Sequence, residues 1–197
     1  LALLTGCGPV TIPHPLPTAP ITAAQPTEPG DRRLSGLHSR VLIDSEVFPN
    51  VLSGHTVGRL DLGREWGDIG LSLGKLNTES TPGATTGIQV GRTLFSGDPG
   101  AFGVTGGLGG TLVAQGRGDL TYYSSLAPSL GVRGHRVLAE RVRLGGAASV
   151  SHSWAWSWES GYDYRLLWVE GSGGLILGRP DRLQASLGVQ YTEAGLE

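Results

Sequence analysis

The sequence is poor in the residues that define several common protein classes. Its 197 residues include one Cys, no Met and one Lys among 15 basic residues. A single Cys excludes a disulfide scaffold and a cysteine-rich zinc module. No apolar run reaches the roughly 18 residues that a transmembrane helix needs. Because the chain has no Met, we expect residue 1 not to be the natural start.

Glycine, by contrast, is abundant, with 33 of the 197 residues. Collagen is excluded because the glycines follow no three-residue period. A helical bundle is disfavoured because each Gly in a helix interior costs about 1 kcal/mol relative to Ala. The hydrophobic content of 39 % and the charged content of 16 % indicate a folded chain rather than a disordered one. The composition therefore predicts a glycine-rich all-β domain with a short tail.

The amino terminus is an apolar run that ends in Leu4-Thr5-Gly6-Cys7. This segment resembles the bacterial lipobox, in which the Cys thiol receives a diacylglycerol and the preceding peptide is removed. The resemblance implies that residues 1–6 are the remnant of a lipoprotein signal peptide and that Cys7 is the lipid attachment point. Gly8, rather than Asp, follows the Cys, which by the enterobacterial sorting rule implies the outer membrane. The alternative is a buried free Cys in a short apolar strand.

A proline-rich segment follows the cysteine. Seven of the 12 prolines lie between residues 8 and 30, namely Pro9, Pro13, Pro15, Pro17, Pro20, Pro26 and Pro29. Such a stretch favours extended polyproline II and cannot donate a hydrogen-bond ladder. We therefore predict an unstructured, lipid-anchored linker over residues 7–39 and a β-barrel domain over residues 40–197. A proline-rich docking peptide is the alternative for the linker.

From residue 40 onward the sequence alternates with the two-residue period of β-strands. Turn-like breaks separate the alternating runs. The pattern predicts eight to ten strands near 40–48, 56–64, 68–76, 84–95, 101–115, 118–133, 136–157, 163–170, 173–179 and 182–192. The segment 136–157 is read as one long strand or as two.

The two faces of these strands predict a membrane barrel. Large apolar residues lie on one face and Gly, Ser, Thr and Gln on the other, whereas soluble barrels carry a charged outer coat. Residues 56–192 resemble the small outer-membrane β-barrels of Gram-negative bacteria, in segments such as Pro128–Arg133 and Leu183–Tyr191. The resemblance implies a closed antiparallel up-and-down barrel. Arg92 shares a face with apolar neighbours, so we expect it near a membrane edge or beside a bulge; Glu140 is placed similarly.

A few residues are candidates for a site. Arg59 and Asp61 share a face and are expected to pair in the lumen of a narrow barrel. Four Trp residues are expected to form a membrane-interface belt, namely Trp154, Trp156, Trp158 and Trp168. The alternative for the Trp-rich segment is a binding platform or a hydrolytic group centred on His152. However, Ser153 would lie on the opposite face from His152.

The sequence predicts a location better than an activity. The leading hypothesis is a lipid-anchored outer-membrane barrel with a structural, scaffold or complex-assembly role, and not an enzyme. Its expected partners are outer-membrane lipid, through Cys7 and the barrel surface, and other envelope proteins. A net charge of −2 disfavours nucleic acid, and no cofactor or metal motif is present. The alternatives are a lipocalin-like carrier of an apolar ligand and an outer-membrane lipid hydrolase centred on His152.

Overall fold

The chain forms a single antiparallel β-sheet in which strands that follow one another in sequence are neighbours in space. This computed structural model describes residues 21–43, 51–77, 82–115, 121–158, 163–179 and 184–196. A short 3-10 helix, Ile21–Ala24, precedes the sheet. The nine strands are β1 (Arg32–Ile43), β2 (Val51–Arg64), β3 (Gly67–Asn77), β4 (Gly83–Gly97), β5 (Gly100–Gln115), β6 (Thr121–Ala139), β7 (Val142–Ser157), β8 (Asp163–Leu177) and β9 (Ala185–Leu196).

The two ends of the sheet differ in their connections. Two residues join β2 to β3, β4 to β5 and β6 to β7, at 65–66, 98–99 and 140–141. We call the end of the sheet that carries these turns the short-turn end. The chain enters the sheet there, because Arg32 of β1 pairs with Leu62 of β2. Glu140 is exposed in the turn at 140–141, beyond the end of β6.

The strand boundaries correct three expectations. Strand β1 begins at Arg32, inside the predicted linker. The prediction missed this start because alternation is hard to read where Arg and Ser replace apolar residues. Strand β8 is continuous from Asp163 to Leu177, where two short strands were predicted. Its Gly-rich middle resembles a turn in sequence, but pairing with β7 keeps it extended. The turn between β6 and β7 lies at 140–141, so the break expected near residue 135 was wrong.

The sheet curls into a half-barrel that does not close. Strands β1 and β9 are its two edges, and in the described part of the chain no pairing joins them. The predicted closed barrel was therefore wrong, although the all-β, up-and-down antiparallel order is confirmed. Alternation along each strand determines which side chains share a face. It carries no information on whether the first and last strands meet.

The curled sheet is apolar outside and polar inside. On its convex face, large side chains such as Leu73, Leu130 and Leu187 are 69 %, 74 % and 81 % exposed. The concave face buries small residues such as Ala127 and Ser153 together with charged ones such as Asp61. In soluble sheets the arrangement is the reverse. No helix in the described ranges is long and apolar enough to span a membrane.

Candidate functional site

The concave face carries a buried cluster of charges near the short-turn end. We call it the interior charge cluster; it consists of Arg33, Arg59, Asp61, Asp68 and Arg133. Arg59 Nε donates to Asp61 Oδ1 at 2.7 Å, and Arg33 Nη2 donates to Asp61 Oδ2 at 3.2 Å. Arg133 Nη2 pairs with Asp68 Oδ2. Asp61 is fully buried, because Arg residues from two strands cover its carboxylate.

The cluster joins strands that are far apart in the sheet. Asp68 is on β3 and Arg133 on β6, with β4 and β5 between them. Their side chains therefore bridge the hollow of the curled sheet rather than adjacent strands. Charges removed from water in this way require close partners, since an isolated buried charge costs several kcal/mol. The pair of Asp68 and Arg133 can therefore form only while the sheet is curled.

Glycines on the concave face make room for the arginines. A Cβ atom at Gly70 would overlap the guanidinium of Arg59. A Cβ at Gly91 would lie 2.5 Å from Arg133 Nη2 and 2.7 Å from Asp68 Oδ1. Gly91 thus lies directly beneath the ion pair that crosses the sheet. These two glycines are required for space, because long charged side chains fill the hollow above them.

The segment Ala23–Thr27 lies in the hollow and covers the cluster. Ala23, Ala24 and Gln25 are 5 %, 3 % and 5 % exposed. Arg33 Nη2 donates to the Gln25 carbonyl at 2.8 Å, and Arg133 Nη1 donates to the Ala23 carbonyl at 3.4 Å. These residues were predicted to be part of an unstructured linker. Instead, they form the innermost layer of the fold at this end.

Aromatic side chains mark both ends of the convex face. Trp154, Trp156 and Trp158 point outward near the end of β7, where they are 40 %, 38 % and 67 % exposed. Trp158 Nε1 donates to Ser124 Oγ at 2.7 Å. Trp66, 54 % exposed, lies in the turn after β2 at the short-turn end. Apolar residues of the convex face lie between these two aromatic positions.

Trp168 does not lie with the other three tryptophans. It is on the concave face, 9 % exposed, and its Nε1 donates to Ser153 Oγ at 2.8 Å. The structure thus corrects the expectation that Trp168 belongs to an outward-facing belt. Successive side chains of a strand point to opposite faces, and Trp168 follows Leu167, which points outward from β8. Its indole fills interior space opposite the serines of β7.

The structure does not assemble a hydrolytic group around His152. His152 is on the convex face, with its ring centroid 4.9 Å from that of Trp154. Ser151 and Ser153 are buried on the concave face, where Ser153 Oγ donates to the Leu166 carbonyl at 3.5 Å. Imidazole and hydroxyl therefore point to opposite sides of the sheet. No His, Cys, Asp or Glu cluster within the described ranges could hold a metal ion.

Sequence reasoning placed Arg59 and Asp61 on one face, and the structure joins them in an ion pair. It did not find Arg33, Asp68 or Arg133, whose sequence neighbours carry no signal that they meet. Asp68 and Arg133 are 65 positions apart. Gly91, the glycine beneath them, carries no signal in the sequence that sets it apart from the other glycines. Cys7 lies outside the described residues, and its lipidation stays a prediction.

Comparisons of the chain with protein-family models, with curated proteins and with solved structures found no match.

Proposed function

We propose that the curled sheet is embedded in a lipid bilayer, as a lipid-anchored outer-membrane protein with a structural or assembly role. The observation that carries the proposal is the reversed polarity of the sheet. Exposed leucines and valines cover its convex face, whereas its hollow holds buried ion pairs. Apolar surfaces of this extent are unusual on soluble monomers and are typical of membrane barrels.

The dimensions of the convex face fit a bilayer. Outward residues of β7 run from Val142 to Trp156, which is about 46 Å along a strand at roughly 3.3 Å per residue. A tilt of about 45° reduces this height to about 33 Å, close to the hydrocarbon thickness of about 30 Å. The tryptophans then lie at the headgroup level, where amphipathic rings are favoured.

The short-turn end fits the side from which a lipid anchor would reach the sheet. Strand β1 begins there, and residues 23–27 cross the hollow just before it. In outer-membrane barrels the short turns face the periplasm. A chain attached through Cys7 to the inner leaflet would therefore enter at this end. The anchor and the sheet act as two independent means of membrane attachment.

The open edges favour an assembly role over an enzymatic one. Strands β1 and β9 each present one side of their backbone without a neighbouring strand among the described residues. Backbone groups without partners are costly in hydrocarbon, so these edges favour pairing with further strands. The hollow holds charged and small residues covered by Ala23–Thr27, which does not favour a carrier of apolar ligands.

Membrane extraction tests the proposal. Wild-type protein is expressed with a lipoprotein leader, and Cys7→Ala is expressed with an ordinary cleavable secretory leader so that no uncleaved apolar segment anchors it. Membranes are then washed with alkaline carbonate. We expect both to stay in the membrane pellet, because the sheet holds without the lipid. Both should also migrate differently on gels before and after boiling. Release of Cys7→Ala into the soluble fraction would show that the lipid alone attaches the chain and that the sheet is not embedded.

A further inference from the structure

The convex face contains an apolar groove along β5. Its volume is about 720 Å³, and it is open to the surface along one side. Gly106 forms its floor, and its walls are Ile88, Val90, Val104, Leu108 and Leu130. In the sheet register Gly106 lies between Val90 of β4 and Leu130 of β6. The groove therefore exists because the middle residue of this row has no side chain.

One end of the groove carries a positive charge. Arg92 lines the groove and is exposed on the same face as Val90. It pairs in register with Val104, one outward position along from Gly106. Among the described residues no ion pair involves Arg92. A guanidinium exposed beside an apolar groove is complementary to an anionic group that is attached to an apolar chain.

Arg92 lies on the short-turn side of the middle of β4, from where its long side chain can extend toward the headgroups of a bilayer. Gly91 pairs with Asp68, so Arg92 is level with Gly67, the first residue of β3. Trp66 lies in the adjacent turn. A register shift between Thr93 and Phe95 follows directly after Arg92 in β4. The bulge expected beside Arg92 is therefore present, and the residue lies toward the short-turn end of the convex face.

We propose that this groove binds one phosphate-bearing membrane lipid, with an acyl chain over Gly106 and the phosphate on Arg92. The inference rests on the proposed membrane location and specifies the lipid that the convex face retains. The groove volume lies within the usual range of small-molecule sites. A guanidinium binds a phosphate group through two parallel N–H···O hydrogen bonds, and a neutral lipid offers no anionic oxygens to accept them. The apolar walls supply affinity, and Arg92 supplies selection for the phosphate.

Lipid titration in detergent tests the proposal. Delipidated full-length protein is titrated with dioleoyl-phosphatidylglycerol and with dioleoylglycerol, which has the same chains but no phosphate, and binding is read by native mass spectrometry. We expect one tightly bound phosphatidylglycerol. Arg92→Gln should weaken phosphatidylglycerol binding about tenfold and leave dioleoylglycerol binding unchanged.

Filling the groove should weaken both lipids. A Cβ at Gly106 would meet Leu130 Cδ2 at 3.7 Å, an ordinary contact, so Gly106→Val occupies the groove without displacing the sheet. The matched control is Gly58→Val, on the convex face of β2, where a Cβ meets only the Leu73 carbonyl at 3.9 Å. Leu130→Ala, which removes one wall, should also weaken both lipids and does not depend on the folding of the valine variant.

Two results would overturn the proposal that the groove binds a phosphate-bearing lipid. One is phosphatidylglycerol binding by Arg92→Gln at wild-type affinity. The other is wild-type binding of both lipids by Gly106→Val or Leu130→Ala. The titration is done in detergent, so it is independent of the carbonate extraction. Release of the sheet from membranes would refute the proposed location, whereas unchanged lipid affinities in a retained protein would refute only the groove.

Discussion

Arg133 of β6 reaches across the hollow of the sheet to the carboxylate of Asp68 on β3. Two strands separate the residues, and Gly91 of the intervening β4 lies beneath their contact. Both side chains are almost fully buried, at 4 % and 2 % exposure. The pair therefore depends on the sheet being curled, and we infer that it favours the curled form over a flatter one.

Removing one member of this pair should be more damaging than removing both. Asp68→Asn leaves Arg133 buried without a full counter-charge, and we expect the free energy of unfolding to fall by about 3 kcal/mol. The double variant Asp68→Asn, Arg133→Gln should recover much of that loss. Urea unfolding in detergent of wild type, Asp68→Asn, Arg133→Gln and the double variant measures the four free energies of unfolding. Additive effects of the two substitutions would contradict a direct interaction.

The space above Gly70 should be equally sensitive. Gly70→Ala places a methyl group in the guanidinium of Arg59, which must withdraw from Asp61. We expect a loss of about 1–3 kcal/mol, typical of overpacking. Gly58→Ala is the control, since its methyl group would point outward from β2 with no close neighbour. Equal unfolding midpoints for the two variants would show that Arg59 has room to move.

Gly63 should control the position of the segment Ala23–Thr27. A Cβ at Gly63 would overlap the backbone carbonyl of Glu28, so Gly63→Ala must push the chain away from β2. We expect faster hydrogen exchange at the amides of residues 23–25 and 27, while exchange in β5 and β6 stays slow. Gly58→Ala, on the same strand, should leave this exchange unchanged. Unaltered protection in Gly63→Ala would mean that the segment docks without β2.

A charged substitution at Leu130 should show whether the convex face lies in water or in hydrocarbon. Its side chain is 74 % exposed, so in water Leu130→Arg would change stability by less than about 0.5 kcal/mol. In hydrocarbon the same substitution should cost about 2–4 kcal/mol. Unfolding from phospholipid vesicles, compared with wild type, distinguishes the two. A neutral result in vesicles would place this face outside the bilayer.

The sequence predicts the faces of the strands well because alternation is a local property. Along β5, Phe102, Val104, Leu108 and Leu112 lie on the convex face, as the alternation predicts. Val113 departs from the pattern, because it is buried on the concave face. The same reasoning placed Arg59 beside Asp61, since side chains two positions apart in a strand share a face.

Local rules fail where the decisive partner is distant. The part of β1 before residue 40 was assigned to the linker because its extended conformation depends on pairing with β2 and on Arg33 reaching Asp61. Alternation showed neither the contact of Arg133 with Asp68 nor the burial of Ala24 in the hollow. The prediction of a closed barrel failed for the same reason, since closure depends on contact between the first and last strands. In each case the missing information is a contact between residues that are far apart in sequence.

The number of strands in the sheet has a consequence for how its edges can be paired. The described residues form nine strands in strictly alternating directions, so β1 and β9 run the same way. Direct pairing between them would be parallel and would interrupt the antiparallel order. An unbroken antiparallel ring instead requires an odd number of added strands. A hairpin, which adds two, leaves the mismatch in place, whereas one donated strand or three would remove it.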